Sequence, residues 1–237
     1  MNELDSENRT HNDSEGKRKP SRHARDVFHS WMLEGAEYAG PLDMPVLAGV
    51  QAQPNRLVPF SDAMSASWGD FDCWVHFFED DRNIERFWNN PRAYIGKLRK
   101  FRGAIGLDYS VCWDFPVAEK YHNHFRNSAC TYWLQREGIP VIPQARCEGD
   151  DGDEVLAGFP KHSTIAIGAR SMVRNLKDRE VLRRSVQYIV DELKPSNVVW
   201  YGSRQYGVAN YLLAKGVPVG FFPGAGKGKL VSRSRAE

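Results

Sequence analysis

Carboxylate and guanidinium side chains cluster just past the carboxyl ends of several apolar runs in this chain. Glu79, Asp80 and Asp81 follow the run 74–78, and Asp108 and Ser110 end the run that begins at Ala104, with Asp114 close behind. Gln144, Arg146 and Glu148 follow 140–145, Arg170 and Ser171 follow 164–168, and Gly202, Ser203 and Arg204 follow 197–201. Oxygen ligands suit Mg²⁺ and arginine grips phosphate in a bidentate fork, so the set suits a hard cation and a phosphate-bearing ligand. Asp108 and Asp80 are the candidate metal ligands or general base, with Asp114 as a further catalytic carboxylate. Ser110, Arg146 and Arg204 are the candidate substrate-binding groups. Asp108 is the strongest of these, because in Ile105-Gly106-Leu107-Asp108 an ionised side chain is costly unless something binds it. The plain alternative is that strand-end loops are polar anyway and that Asp114 caps a helix.

Two more candidates lie on that helix. Asn123 and Arg126 are three apart, with Glu119 one turn earlier, so they share a polar face. That face is either solvated or leans over the ligand edge, where both side chains would bind substrate.

The elements that must position these residues alternate in type. Apolar, β-branched runs at 46–50, 57–60, 74–78, 104–109, 140–145, 164–168, 197–201 and 217–222 read as strands, several of them apolar on both faces. Helical periodicity marks a stripe from Val181 to Leu193, capped by Asp178 and closed by Pro195. Another helix starts near Pro116 and ends at Gly138, with Ala118, Tyr121, Phe125, Ala129 and Tyr132 on its expected buried side. A third runs from about 83 to 101 and a short fourth from 206 to 215, while 148–158 reads as a loop. This is an α/β protein with a mostly parallel sheet, a distorted or incomplete TIM-like β/α barrel or, alternatively, an open doubly wound sheet. Either form places ligands at the carboxyl ends of the strands.

The length of 237 residues fits one α/β domain over 27–223. Residues 1–26 carry six basic and six acidic side chains with no apolar period and read as a disordered tail. Residues 224–237 carry four basic and one acidic and read as a flexible basic tail. The overall charge is +2 and the body between the tails is −1, which argues against wrapping duplex nucleic acid and leaves any such contact local. A mean hydropathy of −0.55 and a polar start point to a soluble, cytoplasmic protein without a membrane span.

Several familiar signatures fail. Cys73, Cys112, Cys130 and Cys147 form no C-x-x-C pair, so reduced, packed thiols are expected. His122-Asn123-His124 falls on the helix, where its two imidazoles point about 200° apart and cannot share a metal. The glycines from Gly220 to Gly228 miss the spacing of a phosphate loop, and no G-x-G-x-x-G, G-x-S-x-G or H-E-x-x-H occurs. Trp133 and Trp200 read as core, whereas Trp113 sits in the turn between Ser110 and Asp114, where it could cover a ligand.

Taken together, Trp88-Asn89-Asn90-Pro91, Leu107-Asp108-Tyr109-Ser110, Asp114-Phe115-Pro116, Asn123, Arg126, the stretch from Gly138 to Pro143, Arg146 and Tyr201-Gly202 resemble a domain-of-unknown-function family. Its members occur in phages, plasmids and integrative elements, mostly of Gram-positive bacteria. The similarity covers about residues 42–203. Leu107 and Tyr109 depart from the usual Pro-Asp-Phe-Ser, and Cys147 stands where a Trp is common. The resemblance implies a mobile-element context and places Asp108, Ser110, Asp114, Asn123 and Arg126 in the family's most distinctive region, without supplying an activity.

Two functions follow as expectations. One is an enzyme acting on a phosphate-containing substrate, a nucleotide or nucleic acid, at the strand ends. The other is a non-catalytic accessory protein binding nucleic acid or a protein partner through the basic tail and the aromatic turn.

Overall fold

A computed structural model of the chain describes residues 28–148, 150–224 and 230–234. A small antiparallel ribbon comes first, β1 (Tyr38–Ala39) against β2 (Met44–Pro45). Next come β3 (Arg56–Pro59), β4 (Trp74–His76), β5 (Gly103–Ile105) and β6 (Val141–Ile142), side by side in that order and all parallel. A second parallel set holds β7 (Thr164–Gly168), β8 (Asn197–Tyr201) and β9 (Val219–Phe222). β10 (Val231–Ser232) pairs antiparallel with β3. Single bridges connect the two sets, Gln144 to Ala166 in parallel sense and Phe221 to Ser234 in antiparallel sense.

Helices fill the crossovers between successive parallel strands: α1 (Phe60–Ala63), α2 (Asp81–Asn89), α3 (Arg92–Leu98), α4 (Val117–Arg136), α5 (Gly152–Val155), α6 (Leu176–Tyr188) and α7 (Asn210–Ala214). The result is a mixed α/β fold with a mostly parallel sheet. Along β7 the period-two rule divides the side chains. Ile165 and Ile167 pack with Val181, Leu182 and Val186 of α6, while Ala166 faces the other way. Ala166 joins Leu57, Phe78, Ile105, Ile142, Val199, Tyr201, Phe222 and Val231 in one buried cluster. Each strand from β3 to β10 thus contributes a side chain to it from within the strand or just beyond. On the opposite face, Val75, Ala104 and Val141 pack under Ile84, Leu98, Trp133 and Leu134.

Several expectations are corrected. Residues 46–50 form no strand; Val46 N–H bonds Glu37 beside the ribbon and the chain then runs irregularly. The helix expected over 83–101 is two, because Pro91 cannot donate a helical hydrogen bond and opens α3. Asp114 does not cap α4, since Pro116 occupies the cap position without a side-chain bond. Asn175, not Asp178, caps α6, its Oδ1 accepting from Asp178 N–H at 2.9 Å. The loop at 148–158 contains the single turn α5. The segment 230–234 is not a flexible tail: Val231 is buried and Arg233 N–H donates to Asn55 O at 2.8 Å. The N-terminal tail, 1–26, and the rest of the C-terminal one, 225–229 with 235–237, lie outside the described residues.

Candidate functional site at the carboxyl ends of the strands

Past the end of β5 the chain leaves the sheet, and α4 holds its backbone at Tyr109 and Ser110. Asn127 Oδ1 accepts from Tyr109 N–H at 2.8 Å and its amide donates to Tyr109 O at 3.3 Å, while Asn123 donates to Ser110 O at 2.8 Å. Unpaired buried backbone groups are costly, so two asparagines stand in for a neighbouring strand. α4 can come this close because Gly106 has no side chain; a Cβ there would lie 2.6 Å from Thr131 Oγ1. The polar face of α4 is therefore buried, with Asn123, His124, Asn127 and Thr131 inside, while Ala118 of the expected apolar face is exposed.

So held, Asp108 meets Arg146, which stands beyond β6. Arg146 Nη2 lies 3.2 Å from Asp108 Oδ1 and 3.4 Å from Oδ2, with 12% of each side chain exposed. Asp108 Oδ1 is buried and receives no hydrogen bond. Burial pushes the Asp108 carboxyl above the usual carboxylate range, Arg146 pulls it back, and Asp81 adds to the rise. Gly168, at the end of β7, faces the same place, since a Cβ there would sit 3.1 Å from Asp108 Oδ2 and 2.8 Å from the Phe78 ring.

Arg146 acts on one histidine, His124, and on one thiol, Cys112, and a second histidine, His76, ends β4. His76, the last residue of β4, is fully buried against Phe78 and Tyr201. Its Nδ1 accepts from Phe78 N–H at 3.2 Å, so the neutral ring carries its proton on Nε2, which has no partner. Burial, helped by the charge of Arg170, pushes His76 down to about 3. Burial also pushes His124 down to about 3, with Arg146 and Lys120 adding to it, and Asp151 Oδ2 lies 4.0 Å from its Nε2. The Cys112 thiol is raised by burial, with Arg146, Asp114, Asp178 and Asp81 all acting on it. Neither buried histidine was singled out from sequence as a site residue. A histidine ending an apolar strand was the signal available for His76.

The other candidates are distributed differently. Ser110 is bonded to Asp81, its N–H and Oγ both 3.2 Å from Asp81 Oδ1. Asp81, not Asp80, is thus the acidic residue brought toward Asp108. Asp80 caps α2, accepting from Arg82 N–H at 3.1 Å and from its guanidinium at 2.9 Å. Asp114 is exposed on the rim near Cys112. Asn123 positions the backbone at Ser110. Arg126 lies over the ring of Tyr109 at 3.7 Å and that of Trp88 at 4.8 Å and is paired with Glu85, which makes it part of the packing. Arg204 stacks over Phe221 at 4.8 Å. Phe221 belongs to the helix-facing side of β9, away from the cluster that holds Phe78 and Tyr201.

Among the described residues no three His, Cys, Asp or Glu side chains are gathered as a metal requires. With Asp80 turned to Arg82 and Asp108 facing a guanidinium, these two carboxylates do not fit a divalent ion. Arg146 already occupies the place of the cation. Three of the four cysteines, Cys73, Cys130 and Cys147, are buried. Among the described residues no helix is long and apolar enough to cross a membrane.

Parallel strands with helical crossovers and a buried acid–guanidinium pair at their carboxyl edge define an α/β protein with a concentrated polar centre. The chain belongs to the family described as Domain of unknown function (DUF4417), whose match spans residues 36–214 and includes Asp108, Arg146 and Arg170. It is 29% identical over 133 residues to the Gene 1 protein of Mycobacterium phage L5, a stretch covering 56% of this chain and 58% of that protein. The Gene 1 protein of Mycobacterium phage D29 is likewise 29% identical over 133 residues, 56% of this chain and 49% of the relative. The matched stretch thus spans about half the length of these phage proteins. No solved structure matches the chain.

Proposed function

We propose that the centre built on Asp108 and Arg146 is an active site for a phosphate-bearing substrate, a nucleotide or nucleic acid. Asp108 would handle a proton while arginines hold the anion. The observation that carries this reading is the Asp108 carboxyl itself. It is buried, raised in pKa and, beyond the ion pair of its Oδ1 with Arg146, receives no hydrogen bond at that oxygen; it stands at the carboxyl ends of parallel strands, where a proton-transferring group is useful near neutral pH. Arg170 supports it as the second cation. It is exposed at the end of β7 and lies along Gly224, 3.4 Å from where a Cβ of that glycine would stand. We read the strands as one closed, barrel-like ring. The Gln144–Ala166 bridge joins β6 to β7, β10 with Ser234 stands between β3 and β9, and the cluster from Leu57 to Val231 fills the interior. In such a ring reactive groups gather at the carboxyl mouth. The phage origin of the relatives supports a role in a phage or another mobile element, inside the host cell.

The test is thermal stabilisation by inorganic phosphate and by nucleoside mono-, di- and triphosphates. A ligand at a hundred times its Kd contributes about 2.7 kcal/mol, several degrees for a chain of this size. The expected result is such a shift in the wild type and its loss in Asp108→Asn and Arg170→Ala. Arg170→Ala should melt near the wild type, because Arg170 is exposed, and Asp108→Asn, which keeps an oxygen for Arg146 but removes the opposing charge, should melt lower while remaining folded. A panel without any shift, or variants that keep it, would overturn the reading. Stabilisation without turnover of any ligand would favour the accessory role.

A further inference from the structure

We infer that the side of this mouth formed by the turn after β5, the start of α6 and the turn after β8 is a docking surface for single-stranded nucleic acid. The inference rests on the active-site reading above and names its substrate class. Trp113 and Tyr206 are 43% and 51% exposed, and Leu176, on the same segment as the residues that touch Trp113, is 79% exposed. Large apolar side chains left in water on one contiguous rim mark a binding site more often than chance.

Neither aromatic is loose. Trp113 Nε1 donates to Asp178 Oδ1 at 3.2 Å, and Lys177 Nζ lies 5.8 Å from its ring. Tyr206 is held in the left-handed region, φ 63° and ψ 21°, a conformation uncommon for a bulky residue. Arg179 stacks on its ring at 3.6 Å, and Arg183 donates to its carbonyl at 2.7 Å. The two rings are thus presented by the first two turns of one helix, α6. They stand on a rim that reaches the centre through Cys112, on which Asp178 and Arg146 both act.

Charge identifies the occupant. Residues 170–184 carry six Lys or Arg against Asp178 and Glu180, in a protein whose body is −1 overall. Arg170, Arg174, Lys177 and Arg183 are exposed there. Of the carboxylates nearby, Asp178 is bonded to Trp113 and Asn175, which leaves Asp114 and Glu180 as the exposed opposing charges. Cations interleaved with held aromatics match a strand whose bases are free to stack and whose phosphates alternate with them. A duplex hides its base faces and draws its affinity from many more phosphate contacts than this patch can make.

The experiment is fluorescence anisotropy at about 0.15 M salt with a mixed-sequence single-stranded DNA oligonucleotide, the same sequence in RNA, the DNA duplex and inorganic polyphosphate. Single strands should bind with an affinity that falls as salt rises, and the duplex about tenfold more weakly. Trp113→Ala and Tyr206→Ala should each weaken single-strand binding about tenfold. Lys177→Glu should weaken it further and reduce its salt dependence, and all three should melt near the wild type. Absence of single-strand binding, or binding to duplex and polyphosphate that equals it and ignores both aromatic substitutions, overturns the inference. The two readings fail separately. Nucleotide stabilisation abolished by Asp108→Asn, with oligonucleotide binding untouched by the rim variants, sinks the rim alone. Rim-dependent oligonucleotide binding without any nucleotide stabilisation sinks the catalytic centre alone.

Discussion

Arg146 and Asp108, 38 positions apart in the chain, meet at 3.2 Å with almost all of both side chains covered. Neither is satisfied by its own element, so each depends on the other. Removing one partner of a buried pair leaves an uncompensated charge, at a cost of about 3 kcal/mol or more. Arg146→Met and Asp108→Ala should each lower unfolding free energy in urea by that order, whereas the double variant should recover much of the loss. Strictly additive losses would mean that the pair is not coupled.

Asn127 should be as sensitive as many apolar core positions. Its amide satisfies both Tyr109 N–H and Tyr109 O. Asn127→Leu leaves two buried backbone groups without partners and should cost about 2–4 kcal/mol. Asn127→Asp keeps the acceptor and should cost less. A measured ranking in which Leu is the milder change would contradict the positioning role.

Acid should unfold this protein earlier than its carboxylates alone predict. His76 and His124 are both pushed down to about 3, while in an unfolded chain each titrates near its ordinary value of about 6.5. The unfolded state therefore binds more protons between those values. Stability is complete above about pH 6.5 and is lost as pH falls toward 3. Each histidine adds up to about 1.4 kcal/mol per pH unit to that slope. Unfolding free energies between pH 4 and pH 6 should show it, and His76→Gln should remove one histidine's share. An unchanged slope would place His76 in contact with water.

Arg126 gives a contrast with the site residues. Its guanidinium lies between Tyr109 and Trp88 and pairs with Glu85. Arg126→Lys loses the planar stacking and should lower the melting temperature by a few degrees. Any nucleotide-induced stabilisation should survive, and its loss would return Arg126 to the substrate-binding set.

Ending the chain after residue 229 should destabilise it. Val231 is 6% exposed, Arg233 N–H bonds Asn55 O, and Ser234 N–H bonds Phe221 O. Burying a valine alone contributes about 1.5 kcal/mol or more. Thermal denaturation should show the truncated chain melting lower by several degrees. An identical melting temperature would make this segment the dispensable tail that its composition suggests.

The legible parts of this fold were those where packing is apolar on both sides. Thr164–Gly168 and Asn197–Tyr201 read as strands with their observed limits because helices on one face and the central cluster on the other both demand apolar residues. Asp108 and Arg146 were legible as strand-end groups for the same reason. α4 was legible in extent but not in orientation. Its inner face serves the backbone of residues 109 and 110, and asparagines that do this look solvated to any hydrophobic periodicity. Asp80 and Asp81 could not be told apart from their types, since the first turn of α2 decides which one caps the helix and which one meets Ser110. β10 was hidden because two apolar residues within a basic stretch carry almost no periodic signal.

β10 is made later than every other described strand, yet it lies against the first of the parallel run. A chain emerging from the ribosome holds one flank of β3 bare until Val231 and Ser232 have been released, whatever the middle has already achieved. That flank is thus closed only once residues 231 and 232 have been made, and a product stopped short of them would present a naked strand flank to the next nascent copy.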